Sequence, residues 1–132
     1  MAVQTERREA ARVTALIIED DPIIASLLCE MLARLGIEGE SCLDPAEGVK
    51  RAISGAYAFV STDMAMPKLH GREVVRSIRQ ARPELPVFVI SGYLDEESVA
   101  DLQRQGVTDF IHKPFTFRDI KRQFAAHARA EG

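Results

Sequence analysis

The chain has 132 residues, which fits a single domain, and its hydrophobic fraction of 46% and charged fraction of 28% are ordinary for a globular protein. Its net charge of −3 at pH 7 argues against direct nucleic-acid binding, which needs a basic face. No apolar run approaches the ~18 residues of a membrane span, and the polar start lacks the apolar core of a signal peptide, so we expect a cytoplasmic protein without membrane insertion.

Residues 1–12 are polar and charged, and we interpret them as a lead-in or linker before one domain at residues 13–132. Five short apolar runs then alternate with five segments whose apolar residues recur at helical spacing. The apolar runs lie at 15–18, 37–43, 57–60, 86–90 and 107–111. The helical segments lie at 22–35, 45–54, 72–82, 96–105 and from 115 onward.

The residues around these helical segments are typical of helix ends. Asp21, Asp44 and Asp95 each stand where an N-cap is expected, and the first two precede a proline. Gly36 and Gly106 stand just after helices, where glycine is a common terminator. The segmentation into helices therefore has support beyond apolar spacing.

Alternating strands and helices predict an α/β fold with a parallel sheet covered on both faces. Right-handed crossovers limit the topology, and we expect a doubly wound, flavodoxin-like (βα)5 sandwich with strand order 2-1-3-4-5. The second run contains Glu38 and Glu40, which suit an exposed sheet edge. Cys29 and Cys42 lack CxxC spacing, so we expect both to be small buried or half-buried groups.

Acidic, hydroxyl and amine side chains follow the apolar runs. Glu19 and Asp20 follow the first run, Asp63 the third, Ser91 the fourth and Lys113 the fifth. Because ligands bind at the carboxyl ends of parallel strands, we expect these groups to converge there. Mg²⁺, or Mn²⁺ in its place, would relieve the repulsion between neighbouring carboxylates. The set predicts a phosphoryl-transfer site with an aspartate as acceptor.

Four sequence blocks resemble those of bacterial two-component response-regulator receiver domains, including the receivers of hybrid histidine kinases. The blocks are ALIIEDDP, TDMAMPKLHG, VFVISGY and FIHKPF, and the resemblance covers residues 14–130. It implies a signalling switch that catalyses only its own phosphorylation and dephosphorylation, rather than an enzyme acting on a separate substrate.

The resemblance implies a role for each matching residue near the acceptor. Asp63 would accept the phosphoryl group, and Glu19 and Asp20 would hold the metal together with Asp63 itself and the main-chain carbonyl of Ala65. Lys113 would pair with the phosphoryl group, and its peptide bond to Pro114 would be cis.

The resemblance also implies a switch. Ser91 would bond the phosphoryl group and move on activation, and Phe110 would turn inward with it, although a plain core position for Phe110 stays open. Ala65 and Tyr93 occupy positions that tune hydrolysis, and neither offers an acid or amide to orient water. We therefore expect no efficient self-dephosphorylation.

Two other functions stay open. A phosphohydrolase using Asp63 would usually have an acid two residues further on, where this chain has Ala65. A receiver-like module that is never phosphorylated would not need the complete acid, hydroxyl and lysine set. His70 and His112 invite a metal-binding or acid–base role, but we expect His70 to lie on an exposed loop and His112 to flank the site.

The resemblance further implies partners. The phosphoryl donor would be a histidine kinase or a histidine phosphotransfer protein, and the face formed by helix 4, strand 5 and helix 5 would contact a downstream target or a second copy in a homodimer. Whether the domain acts alone or belongs to a hybrid kinase or larger regulator stays open.

Overall fold

The computed structural model describes residues 13–66 and 68–129, and their side chains up to residue 125. The expected charged lead-in at residues 1–12 lies outside the described residues. The strands are β1 (Val13–Ile18), β2 (Ile37–Cys42), β3 (Phe59–Thr62), β4 (Val87–Ser91) and β5 (Asp109–His112). The helices are α1 (Pro22–Arg34), α2 (Pro45–Ser54), α3 (Gly71–Ala81), α4 (Glu96–Arg104) and α5 (Phe117–Arg129).

The five strands form one parallel sheet in the order β2-β1-β3-β4-β5, which confirms the predicted topology. β2 lies at an edge, and its Glu38 and Glu40 are exposed as expected. In this order β1 and β3 are central neighbours, so the residues that follow them meet at the same rim.

Three strands begin later than the apolar pattern predicted, β4 by one residue at Val87 and β3 and β5 by two residues each. Tyr57 lies before β3, and its hydroxyl donates to the Glu40 carboxylate at the sheet edge. Val107 lies before β5 because its N–H donates to the Leu102 carbonyl and completes the end of α4. Ser61 and Thr62 belong to β3 despite their polarity, since their backbones pair with the end of β1.

The helix ends follow the sequence prediction. Asp21, Asp44 and Asp95 accept hydrogen bonds from backbone N–H groups of their helices, at 2.9, 3.0 and 2.6 Å respectively. Gly36 and Gly106 have φ values of +78° and +91°, a conformation that L-residues with side chains rarely adopt. These local signals therefore fix where three helices begin and two end.

The core has two layers, one on each face of the sheet. One layer contains three aromatic rings, those of Phe59, Phe88 and Phe124, whose centroids lie 4.4–5.2 Å apart. The other layer packs apolar residues of β1, β3 and β4 against α2, α3 and α4. Cys29 is half-buried and Cys42 is buried, as expected.

Two arginines connect elements at the rim opposite the carboxyl ends. The Arg79 guanidinium donates to the carbonyls of Gln105, Pro83 and Leu85. Arg82 donates to the carbonyls of Ala52 and Gly55 at the end of α2. Among the helices that the structure describes, none is both long and apolar enough to cross a membrane.

Candidate functional site

The predicted acidic residues lie at the carboxyl ends of the two central strands. Glu19 and Asp20 follow β1 directly, and Asp63 follows β3. The Asp63 N–H donates to the Ile18 carbonyl at 3.2 Å, which extends the pairing of β1 with β3 by one residue. Asp63 is therefore held beside the acidic pair by the sheet itself.

Glu19, Asp20 and Asp63 form a compact acidic cluster. One carboxylate oxygen from each residue lies within 4.8 Å of the others. Glu19 and Asp63 are buried, whereas Asp20 is partly exposed. Burial raises the pKa of Glu19, a hydrogen bond from Lys113 opposes the rise, and the charge of Asp63 adds to it.

The two oxygens of Asp63 have different surroundings. Oδ1 accepts hydrogen bonds from the N–H groups of Met64 at 2.7 Å and Ala65 at 3.4 Å. Oδ2 accepts from the Nζ of Lys113 at 3.0 Å. The carboxylate is thus oriented by main chain on one side and by a lysine on the other.

Lys113 joins both acidic strand ends. Its Nζ lies 2.6 Å from Glu19 Oε1 as well as 3.0 Å from Asp63 Oδ2. Burial alone would lower the pKa of Lys113, but the hydrogen bonds to Glu19 and Asp63 outweigh it and raise the pKa. The Lys113–Pro114 peptide bond is cis, the isomer that the sequence resemblance implied.

Ser91 ends β4 and is buried at the same rim. Its hydroxyl donates to the Tyr93 carbonyl at 3.2 Å and accepts from the Tyr93 N–H at 3.3 Å. The carbonyl of Ser91 accepts from the Lys113 N–H at 2.9 Å, which connects the ends of β4 and β5. The hydroxyl is therefore near the site but engaged within its own loop.

The remaining predicted residues lie around this centre. Phe110 is half-buried against the core layer under α2, α3 and α4, while the Tyr93 side chain is 73% exposed. Ala65 is exposed beside the acceptor. His70 is exposed and caps α3 by accepting the Arg72 N–H on Nδ1, and His112 is exposed at the end of β5.

Gly71 is a site residue that the sequence did not single out. A Cβ at this position would lie 2.3 Å from the Asp63 carbonyl oxygen and 2.7 Å from the Met64 Cα. The Gly71 N–H also donates to the Met64 carbonyl at 2.9 Å. Glycine thus lets the start of α3 pack directly against the acceptor backbone; its position just before a helix was the available signal.

The donor set fits a small divalent cation. Mg²⁺ prefers oxygen ligands and commonly binds one or two carboxylates together with waters and phosphate oxygens. Among the residues that the structure describes, three carboxylates of the cluster are paired with one lysine, so two negative charges are left uncompensated within the cluster. The fold and this cluster define an α/β domain whose acidic rim has a donor set suited to a divalent cation such as Mg²⁺.

Comparison with known proteins identifies the family. The model of the response regulator receiver domain matches residues 15–125. The chain therefore belongs to the response regulator receiver domain family, the phosphorylated domain of two-component signalling.

The similarity extends to particular proteins. Response regulator protein FleR of Pseudomonas aeruginosa is 32% identical over 114 residues, 86% of this chain and 24% of that protein. A CheY-like receiver domain protein from Methanospirillum hungatei superposes with a TM-score of 0.83 at 22% identity, covering 90% of this chain and 95% of the other. Response regulator TrrA of Thermotoga maritima, solved with Mg²⁺ and BeF, gives a TM-score of 0.77 at 27% identity, covering 87% and 98%.

The chain spans only part of its curated relatives. It covers 24%, 53% and 44% of the lengths of FleR, the regulatory protein VanRB and the transcriptional regulatory protein RprY. The similarity therefore concerns the receiver domain and not the remainder of those proteins.

Proposed function

We propose that Asp63 is the phosphoacceptor of a signalling switch and that its phosphorylation depends on Mg²⁺ bound by Glu19, Asp20, Asp63 and the Ala65 carbonyl. The observation that supports this most directly is the cluster itself, with three carboxylates within 4.8 Å and one lysine bonded to two of them. Mn²⁺, which also takes carboxylate and carbonyl oxygens, is the second metal to test.

The residues of the cluster have distinct tasks in this reaction. A carboxylate oxygen of Asp63 attacks phosphorus, and the bond from phosphorus to the donor imidazole nitrogen breaks, leaving the electron pair on that nitrogen. Lys113, 3.0 Å from Oδ2, is placed to contact an oxygen of the transferred group. The N–H groups of Met64 and Ala65 orient the carboxylate throughout. A bound Mg²⁺ supplies positive charge against the phosphoryl oxygens.

The proposed donor is a phosphohistidine on a histidine kinase or histidine phosphotransfer protein in the cytoplasm. Exposed apolar side chains follow the carboxyl ends of three strands, Ile23 in the first turn of α1, Leu43 after β2 and Tyr93 after β4. Ile23, Leu43 and Tyr93 are 76%, 48% and 73% exposed. Such side chains favour docking of a protein donor over a small molecule. Ile23→Lys should therefore slow transfer from a phosphohistidine protein while leaving labelling by acetyl phosphate unchanged.

The proposed switch begins at Ser91. Its hydroxyl is bonded to the Tyr93 backbone, so it must leave that partner before it can bond a phosphoryl group on Asp63. Phe110 on the adjacent strand would reorient with it, and the face of α4, β5 and α5 would change for a downstream target or a homodimer partner. Amide exchange with and without beryllofluoride tests this, and an unchanged α4–β5–α5 face would exclude it.

Labelling tests the acceptor assignment. Acetyl phosphate or phosphoramidate should label the parent only with Mg²⁺ present, and Asp63→Asn should abolish labelling. Asp109→Asn, which changes an aspartate on β5, is the matched control and should label like the parent. If Asp63→Asn is labelled at the parent level, the assignment is wrong.

Two further measurements separate the alternatives. Multiple turnover of small phosphate esters would favour a phosphohydrolase, which we do not expect with Ala65 beside the acceptor. Failure to bind Mg²⁺ and beryllofluoride would favour a module that is never phosphorylated. Slow loss of label would agree with the absence of an acid or amide at Ala65 and Tyr93.

A further inference from the structure

An ion pair connects α3 with α4 outside the acidic cluster. The Nε and Nη2 of Arg72 both donate to Asp101 Oδ2, at 3.1 and 3.0 Å. The side chains of Arg72 and Asp101 are 39% and 19% exposed, so the pair is partly screened by water. The hydrogen bonds from Arg72 lower the pKa of Asp101, which keeps the carboxylate charged.

Arg72 is fixed relative to the acceptor backbone. The preceding residue, Gly71, packs against the Asp63 carbonyl and donates its N–H to Met64. His70 Nδ1 accepts the Arg72 N–H at 3.2 Å, which anchors the first turn of α3. The guanidinium therefore projects from a helix start that cannot shift without disturbing the loop after Asp63.

Asp101 lies on the helix that follows the Ser91 loop. Asp95 caps α4, and its carboxylate accepts the Ser98 N–H at 2.6 Å. Only Gly92, Tyr93 and Leu94 separate this cap from Ser91. The proposed departure of the Ser91 hydroxyl from Tyr93 would therefore act on a short loop that leads directly into α4.

We propose that the Arg72–Asp101 pair holds α4 in the arrangement of the unphosphorylated domain and so opposes phosphorylation of Asp63. This rests on the proposed phosphoacceptor function. Both ends of the pair are tied to the site, Arg72 through Gly71 and Asp101 through the Ser91 loop. In this proposal the pair is lost when α4 moves with the Ser91 loop, so removing it destabilises only the starting arrangement, and the equilibrium moves toward the phosphoryl-bound arrangement.

Beryllofluoride binding in Mg²⁺, followed by isothermal titration calorimetry, tests the proposal. Arg72→Met and Asp101→Asn should each bind beryllofluoride about two- to fivefold more tightly than the parent, the range for one partly exposed ion pair. Affinity for Mg²⁺ alone should stay at the parent value, because neither residue belongs to the acidic cluster.

Two controls distinguish the ion pair from general loosening. Arg104→Met removes the other arginine bonded to Asp101, but that arginine lies on α4 itself and cannot tether it to α3, so binding should match the parent. Exchanging the charges in the Arg72→Asp, Asp101→Arg double variant should return binding toward the parent.

The outcomes separate this inference from the proposed function. If the parent binds beryllofluoride and both single variants bind it equally or more weakly, the inference is wrong while the phosphoacceptor assignment stands. If the double variant stays at the single-variant affinity, the ion pair is not the cause and the inference is likewise wrong. If the parent binds no beryllofluoride with Mg²⁺, both fail.

Discussion

Replacement of Asp20 by asparagine should make the protein more stable than the parent in the absence of Mg²⁺ and less stable than the parent in its presence. The substitution keeps the size of the side chain and removes one of three clustered negative charges. Asp20 is the partly exposed member of the cluster, whereas Lys113 contacts the other two carboxylates. The change therefore removes repulsion without breaking the lysine contacts.

The size of the effect follows from the spacing. The ligand oxygens lie within 4.8 Å of one another, and two unit charges at that upper limit repel by about 3.5 kcal/mol at an effective dielectric constant of ~20. Water around Asp20 and the charge of Lys113 reduce the net repulsion to about 1 kcal/mol. Without metal, Asp20→Asn should thus be more stable than the parent by about 1 kcal/mol, or roughly 3–6 °C in Tm.

Magnesium should reverse this order. At a Mg²⁺ concentration about 100-fold above its Kd, the parent gains about 2.7 kcal/mol through binding to the folded state alone. The variant should gain little, because it lacks the carboxylate that we propose as a direct ligand. Urea unfolding in EDTA and in Mg²⁺ measures both free energies in the same preparation.

Asp21→Asn is the matched control. Asp21 follows Asp20 but caps α1 through Oδ1, and asparagine keeps an oxygen at that position and is an equally good N-cap. This variant should retain the full magnesium gain. An Asp20→Asn protein that is less stable than the parent in EDTA would refute the repulsion, and one that gains as much from Mg²⁺ would refute the ligand assignment.

Three further results follow from contacts elsewhere in the fold. Gly71→Ala should lower the free energy of unfolding in urea by about 2–3 kcal/mol and slow labelling by acetyl phosphate, because the alanine Cβ would overlap the Asp63 carbonyl. Parent-like values of both would contradict that packing. Arg79→Met should lower the free energy of unfolding by about 2–3 kcal/mol, because the carbonyls of Gln105 and Pro83 lose their charged donor. Arg76→Met, at an exposed position, is the control and should change that free energy by under ~0.5 kcal/mol. Burial and the hydrogen bond to Glu40 raise the pKa of Tyr57 to about 12 from 10.0. The stabilisation of the folded state by the protonated Tyr57 hydroxyl is therefore complete below pH 10 and is lost as the pH rises through 12. Spectrophotometric titration should show a step near pH 12 that Tyr57→Phe removes, and a step that persists would contradict this.

Much of the fold was predictable because its signals are local. Apolar runs and helical spacing indicated five strands and five helices, and capping residues such as Asp44 and Gly106 marked helix ends. The predicted strand order is confirmed because right-handed crossovers leave few alternatives. The late starts of β3 and β5 were missed because Tyr57 and Val107 are apolar enough for a strand; the Val107 N–H instead completes the end of α4, a contact that the apolar pattern does not show.

The composition of the candidate site was also predictable, because polar residues that follow buried strands must meet at one rim of a parallel sheet. The hydrogen bonds among the side chains of the site were not predictable from the sequence. Lys113 and Glu19 are 94 residues apart and form a 2.6 Å contact, and no spacing rule shows that this lysine joins two carboxylates or that the Ser91 hydroxyl turns to Tyr93.

The sequence by itself determined the elements, their order and the residue types at the rim, since each depends on neighbours along the chain. Only the tertiary structure decided which side chains bond one another, because those bonds depend on distances between strands and helices that are remote in sequence. The Arg72–Asp101 pair and the close packing of Gly71 on Asp63 belong to this second group.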